Sequence, residues 1–240
     1  MQKGHRRAGA RRPRGAPSAA KAALQAVAAH AFVRSPSMRV RIRNAADIAD
    51  FLEWQEAHFQ EVRLYRSREQ LWSELVARAE NGPSRTVLEF GVAWGYATEW
   101  WLRAVPDQGL VWHGFDRFTG LPRAWRRLTE GAFDAQGLPP DLDDPRITWH
   151  VGDVEDTLGE LSMSELSQRP LVVLFDLDLY EPTAAAWRRL EPVLKGGDLI
   201  YFDEAMDEDE RKVLEELVLP SGRVRYIGST PSALALEVTA

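Results

Sequence analysis

The sequence predicts an α/β fold, a doubly wound and mostly parallel sheet closed by a C-terminal antiparallel hairpin. Three observations point there. From Thr86 onward, short apolar runs alternate with helical periodicities, the pattern of strands joined by crossover helices. Leu171-Val-Val-Leu-Phe175 is apolar on both faces, as a central parallel strand covered on two sides must be. The last two apolar runs, 224–227 and 233–238, are separated by a Gly/Ser/Pro loop too short for a crossover helix, so they pair as an antiparallel hairpin at the sheet edge.

The elements follow in order. Ile48, Phe51, Leu52, His58 and Phe59 recur at helical intervals, which predicts an amphipathic helix over 46–62. Ser67 and Gln70 form a capping-box pair ahead of Leu71, Trp72 and Leu75, so a second helix runs to about Glu80, stopped by Asn81-Gly82-Pro83. Strands are expected at Thr86–Phe90, 110–115, Ile147–Val151, Leu171–Phe175 and Leu199–Phe202, with helices over 98–105, 182–194 and 208–217. Pro182 is compatible with a helix start, where its missing N–H removes no bond. Between the second and third strands, 118–133 and the Pro/Asp-rich 137–145 make the longest excursion, a common source of substrate pockets on such folds.

Composition bounds the function. The 240 residues are 45% apolar with nine tryptophans, which fits a globular chain. No apolar run reaches the roughly 20 residues needed to cross a bilayer, so no membrane span is expected. The absence of cysteine excludes disulfides, zinc–thiolate sites and thiol nucleophiles; it suits a reducing, cytoplasmic setting. Met1–Ala46 holds eleven Lys or Arg and no acid, so the net charge of −6 leaves −17 on the remainder. So acidic a body would repel a polyanion, and no nucleic-acid partner is expected. Residues 1–37 are taken as a basic, solvated tail, with a transit peptide or an anionic partner as the alternatives and a short helix over 22–32 at most. Residues 38–240 then form the folded domain.

The residues that carry chemistry stand at strand ends. Glu89-Phe-Gly91-Val-Ala-Trp-Gly95 lies where the first strand meets the next helix, and open α/β sheets bind ligands at such carboxyl edges. Its spacing is G-x-x-x-G, not the G-x-G-x-x-G of a dinucleotide site. An acid before the glycines suits a ligand bearing an ammonium and a sulfonium, not a pyrophosphate. Asp116 ends the second strand, 25 residues beyond Gly91, the separation at which an acid accepts from the ribose hydroxyls of an adenosine cofactor. Gly152-Asp153 ends the third strand and is placed near the adenine amino group, or as the N-cap of a short helix through Leu158. Trp94 is a candidate to stack on the cofactor, against the ordinary role of tryptophan as buried apolar area.

The fourth strand ends Asp176-Leu-Asp178 and the fifth Asp203-Glu204, with no basic residue nearby in sequence. Oxygen-only ligands of this kind point to a hard cation such as Mg²⁺; the alternative is a solvated acidic rim. His113 and His150 are expected to be structural, Trp100-Trp101 core, and Trp125-Arg126-Arg127 surface packing.

Together Glu89-Phe-Gly91-x-x-x-Gly95, Gly114-Phe-Asp116-Arg-Phe-Thr-Gly-Leu-Pro122, Asp176-Leu-Asp-Leu-Tyr-Glu-Pro-Thr183 and Leu194-Lys-Gly-Gly-Asp-Leu-Ile-Tyr-Phe-Asp203 resemble class I, Rossmann-like methyltransferases. Within that class they are most similar to the macrocin O-methyltransferase group, which methylates sugar hydroxyls in macrolide and aminocoumarin biosynthesis. The resemblance covers about residues 71–238. It implies S-adenosylmethionine held by Glu89, Gly91, Trp94, Gly95, Asp116, Gly152, Asp153 and Asp176. It also implies Mg²⁺ on an Asp after the fourth strand and an acidic pair after the fifth, here Asp176, Asp203 and Glu204. Asp176 and Asp178 are the catalytic candidates, the acceptor is a hydroxylated small molecule, and a homo-oligomer is compatible with the group. The chain departs from the group's pattern at Glu204, where Asp is usual, at Ala205, where Tyr is usual, and at Arg117 and Thr119. A nicotinamide-dependent oxidoreductase and a non-catalytic binding module are the rival readings.

Overall fold

The computed structural model describes residue 27, residues 35–80 and residues 82–239. It comprises two units, Met1–Ala46 and Asp47–Ala240, and every site residue discussed below belongs to the second. The helix expected over 22–32 falls, Val27 apart, outside the described residues, as does most of the basic tail.

Helix α1 (Pro36–His58) starts ten residues earlier than the periodicity suggested. Met38, Val40 and Ile42 are all exposed, so the first turns carry no apolar stripe from which a start could be read. Helix α2 (Arg68–Ala79) starts at the expected cap: Ser67 Oγ accepts from Gln70 N at 3.4 Å, while Gln70 Oε1 reaches one residue beyond the box and accepts from Arg66 N at 3.1 Å.

Seven strands form one sheet in the order β3-β2-β1-β4-β5-β7-β6. They are β1 (Thr86–Phe90), β2 (Val111–Asp116), β3 (Ile147–Val151), β4 (Leu171–Phe175), β5 (Leu199–Phe202), β6 (Val224–Ser229) and β7 (Leu234–Val238). The first five are parallel, and the hairpin is antiparallel, with β7 inserted between β5 and β6. Connecting helices are α3 (Tyr96–Ala104), α4 (Val154–Thr157), α5 (Met163–Leu166), α6 (Tyr180–Leu190) and α7 (Glu208–Val213). Helix α6 begins before Pro182, which sits in the first turn where no intrahelical N–H is required. Helix α7 is shorter than 208–217 because the chain widens at Leu214–Val218 and tightens at Leu219–Ser221.

Apolar cores fill both faces of the sheet. On one, Trp187, Leu190 and Val213 cover a row of phenylalanines; on the other, Leu71, Trp72, Leu75 and Trp101 cover Val87, Trp112 and Tyr201. The phenylalanine row fixes the geometry of the site. Phe90 pairs in register with Phe115 and with Phe175, and Phe175 with Phe202. Their rings stack at 4.8, 5.4 and 4.8 Å between centroids. His150 continues the row on β3, stacked on Phe115 at 4.4 Å. Because the row is level, the residue after each phenylalanine stands at the same height along the carboxyl edge of the sheet: Gly91, Asp116, Asp176 and Asp203.

Candidate active site

The strand order reverses at β1, whose neighbours β2 and β4 lead away in opposite directions. A cavity of about 800 Å³ opens above this point. Its wall includes Glu89, Gly91, Trp94, Asp116, Gly152 and Asp153 from β1 to β3. Asp176, Asp178, Asp203 and Glu204 continue it from β4 and β5. Of the sequence-predicted site residues only Gly95 stands off the wall; it takes φ +79° as the N-cap of α3, and a Cβ there would meet Pro140 at 2.7 Å.

Gly91 is the tightest point. Its φ is +90°, and a Cβ would fall 1.8 Å from the Asp176 carbonyl oxygen, so only glycine lets β1 turn against the end of β4. The loop it opens is tied down by Asp116. Oδ2 accepts from Val92 N and Ala93 N, each at 2.8 Å, and Oδ1 accepts from Phe118 N at 2.7 Å. A carboxylate offers about four lone-pair positions, so three backbone donors leave little capacity over. Asp116 therefore shapes the glycine loop, a role the spacing argument did not anticipate. Glu89 is buried, and its Oε2 accepts from the Thr98 hydroxyl and from Trp112 Nε1. Burial is the main reason its carboxyl is pushed up to about 7. Asp153 occupies the N-cap position of α4 without capping it; its side chain instead pairs with Arg117 Nε at 3.2 Å. Trp94 is 65% exposed and meets Phe133 edge-on.

Beyond β4 the acids crowd. Asp178 is buried in a left-handed backbone conformation (φ +63°), sparsely populated for a non-glycine residue. Burial, then Glu204 and Asp203, push its carboxyl up to about 8. Burial, then Asp203, pushes Glu204 to about 7. Asp176 rises as well, from burial and then Asp203. Behind them Glu210 is fully buried; its Oε2 accepts from Glu204 N at 3.1 Å while Oε1 has no hydrogen-bond partner.

Sequence proximity offered no cation to offset this charge, but the fold supplies two. Arg68 places NH1 3.3 Å from Asp203 Oδ2, and its guanidinium lies over the rings of Trp72 and Tyr96. Tyr201 donates its hydroxyl to the other oxygen of Asp203. Arg126 comes from the excursion and reaches Glu204 and Asp207. Trp125, expected to pack on the surface, is buried, lines the cavity and donates Nε1 to Asp207 Oδ1 at 3.2 Å. His113 and His150 hydrogen-bond each other at 2.9 Å beside the phenylalanine row, a structural pair.

Asp176, Asp203 and Glu204 line one cavity and offer the hard oxygens that Mg²⁺ needs, yet among the described residues no group of three His, Asp or Glu is arranged to hold a metal ion. Asp203 is engaged by Arg68 and Tyr201, and Glu204 faces Arg126. As arranged, the residues do not fit the ion.

No protein-family model matches the sequence, and no curated protein matches it either. Solved structures do. The calicheamicin methyltransferase CalS11 superposes with a TM-score of 0.54 at 20% identity, over 97% of this chain and 99% of its own. The O-methyltransferase NovP superposes with a TM-score of 0.56 at 19% identity, over 72% of this chain and 80% of its own. The chain has the class I methyltransferase fold. On that fold, the wall from Glu89 to Asp153 lies on one side of the β1–β4 reversal. The buried acids and Trp125 lie on the other, so the cavity is divided between two kinds of surface.

Proposed function

We propose that the protein is an S-adenosylmethionine-dependent O-methyltransferase acting on a hydroxyl of a small molecule such as a sugar or natural product. The observation that carries this reading is the convergence of the strand-end carboxylates and the Gly91 loop on one cavity, where acids outnumber arginines. Beside the Gly91 loop, such a wall favours a cationic cofactor over a dinucleotide. The fold likeness supports it further, since CalS11, whose apo structure superposes with a TM-score of 0.50 at 21% identity, is a TDP-rhamnose 3′-O-methyltransferase. When bound, S-adenosylmethionine supplies an electrophilic methyl group on a positively charged sulfur.

The chain's own residues do the rest. Glu89, Gly91, Trp94, Asp116, Gly152 and Asp153 form the wall for the cofactor, with Gly95 setting the start of α3 and Asp176 closing the wall from β4. Asp178 is the group for the acceptor's proton. It lines the cavity from a left-handed backbone, and its carboxyl, raised to about 8 by burial and then by Glu204, takes up the acceptor's proton in its ionised form, whose share grows as the pH rises towards 8. Trp125 and Leu121 give the acceptor side an apolar wall that sheds water.

Calorimetric titration tests the cofactor half: S-adenosylhomocysteine should bind in the micromolar range and NADH should not, and the reverse result would sink the reading. Asp178→Asn tests the catalytic half. Methyl transfer to a hydroxylated acceptor should fall at least about 100-fold, within the ordinary contribution of a positioned base, while S-adenosylhomocysteine affinity stays within twofold.

A further inference from the structure

Glu204 is where the chain departs from the Asp-Asp pattern, and the structure shows where its extra methylene leads. Its Oε2 lies 3.6 Å from Arg126 Nη1. Arg126 spreads its three nitrogens over three carboxylates: Nη1 to Glu204 and Nε to Asp207 at 2.9 Å, both in the turn between β5 and α7, and Nη2 to Asp47 of α1 at 3.4 Å. Each carboxylate faces a different edge of the guanidinium fork, which a lysine could not reproduce.

The turn that carries Arg126 is itself closed. Trp125 and Leu128 exchange both backbone hydrogen bonds, at 3.1 and 2.8 Å, and Arg126 takes φ +50° at the tip. The guanidinium lies 5.5 Å from the ring of Trp125, and Trp125 and Arg126 both end on Asp207. The wall of the cavity and the charge on the acidic rim thus share one anchor. A cation drawing Glu204 inward would have to pull it from Arg126 and would free one of the turn's three ties.

We propose that Arg126 is the resident cation of these carboxylates: it keeps Glu204 out of metal coordination and fixes the Trp125 wall, so the acceptor side is assembled without a divalent ion. This deepens the methyltransferase reading and rests on it for the meaning of the wall. Arg126 is a positioning residue; it acts through Trp125 and Glu204.

The test is Mn²⁺ binding by the full chain, followed by electron paramagnetic resonance, for wild type, Arg126→Gln and the double variant Arg126→Gln/Glu204→Ala. Wild type should show no saturable site below about millimolar Mn²⁺. Arg126→Gln should gain one at least tenfold tighter, and the double variant should lose it again. Trypsin should cut after Arg123 or Arg127 at least fivefold faster in Arg126→Gln than in wild type, reporting a loosened turn, and Mn²⁺ should not slow that cut in wild type. If wild type binds Mn²⁺ as tightly as Arg126→Gln, or the gained site survives the loss of Glu204, the proposal is overturned. S-adenosylhomocysteine binding, measured on the same samples, separates the two readings: Arg126→Gln should retain it within threefold, which also shows that the variant is folded. Its absence from wild type would count against the methyltransferase reading and leave the Mn²⁺ comparison unaffected.

Discussion

At the scale of single residues, two carboxylates with similar placement do opposite work. Asp116 is held by backbone: three N–H groups from the Gly91 loop and its own turn converge on it. Hydrogen bonds to a charged acceptor contribute about 1.5–3 kcal/mol each when buried, less here because the residue is half-buried. Asp116→Ala should therefore lower stability by about 2–3 kcal/mol, some 5–10 °C in Tm, and weaken S-adenosylhomocysteine at least tenfold by releasing the loop. Unchanged affinity in a calorimetric titration would remove Asp116 from the cofactor wall. Glu89 is instead held where a charge is unwelcome. Its folded pKa, about 7, lies above its ordinary value of 4.5 because burial outweighs the Thr98 and Trp112 hydrogen bonds. For an acid raised in this way, stability is fully present below about pH 4.5 and is lost as pH rises through 7. The difference corresponds to about 3 kcal/mol at most. Urea melts between pH 5 and 8 should show this decline in wild type and a flatter profile in Glu89→Gln; parallel profiles would mean that Glu89 is not protonated in the folded state.

At the scale of elements, the sheet was legible because its signals are local. Each core strand carries its own apolar run, and Phe90-Gly91, Phe115-Asp116, Phe175-Asp176 and Phe202-Asp203 repeat the same punctuation. The hairpin at the C-terminus was legible from loop length alone. What stayed hidden lacked a local mark. The first turns of α1 have no buried face, and the start of α6 lies upstream of the proline that seemed to announce it. The insertion of β7 beside β5 is a choice between two edges that neither strand's sequence encodes by itself. The junction of β1 with β4 is the element-scale feature least tolerant of change. Gly91→Ala would drive a Cβ to within 1.8 Å of the Asp176 carbonyl oxygen while demanding a left-handed backbone. The cost should be at least about 4 kcal/mol, in the exceptional range for a point substitution. Soluble yield should collapse, or Tm should fall by more than 10 °C with S-adenosylhomocysteine binding lost. A well-folded Gly91→Ala protein with wild-type affinity would mean that the two strand ends lie farther apart than the sheet register places them.

At the scale of the whole molecule, the acids were visible in the sequence but their partners were not. Asp203 is met by a residue 135 positions earlier, and the excursion that supplies Arg126 has no regular structure by which its path could be read. Long-range charge compensation of this sort depends on the assembled fold, not on spacing. It is also incomplete. Arg68, Arg117 and Arg123 share the cavity with carboxylates from five strand ends, on a chain that is acidic after Ala46. The resulting field should distinguish ligands by charge even when their shapes are nearly equal. S-adenosylmethionine and S-adenosylhomocysteine differ by one methyl group and by the positive charge on sulfur, so their affinity ratio isolates the electrostatic contribution. Salt shortens the Debye length from about 30 Å at 0.01 M to about 3 Å at 1 M, and exposed wall residues such as Arg117 and Asp153 meet that screening. The ratio of S-adenosylmethionine to S-adenosylhomocysteine affinity should fall severalfold between 0.02 and 0.5 M NaCl, while S-adenosylhomocysteine alone changes less than twofold. Calorimetric titrations at four salt concentrations would measure both. A ratio that stays flat or rises with salt would mean that the acidic rim is neutralised by its own arginines and protons before any ligand enters, and that shape alone selects the methyl donor.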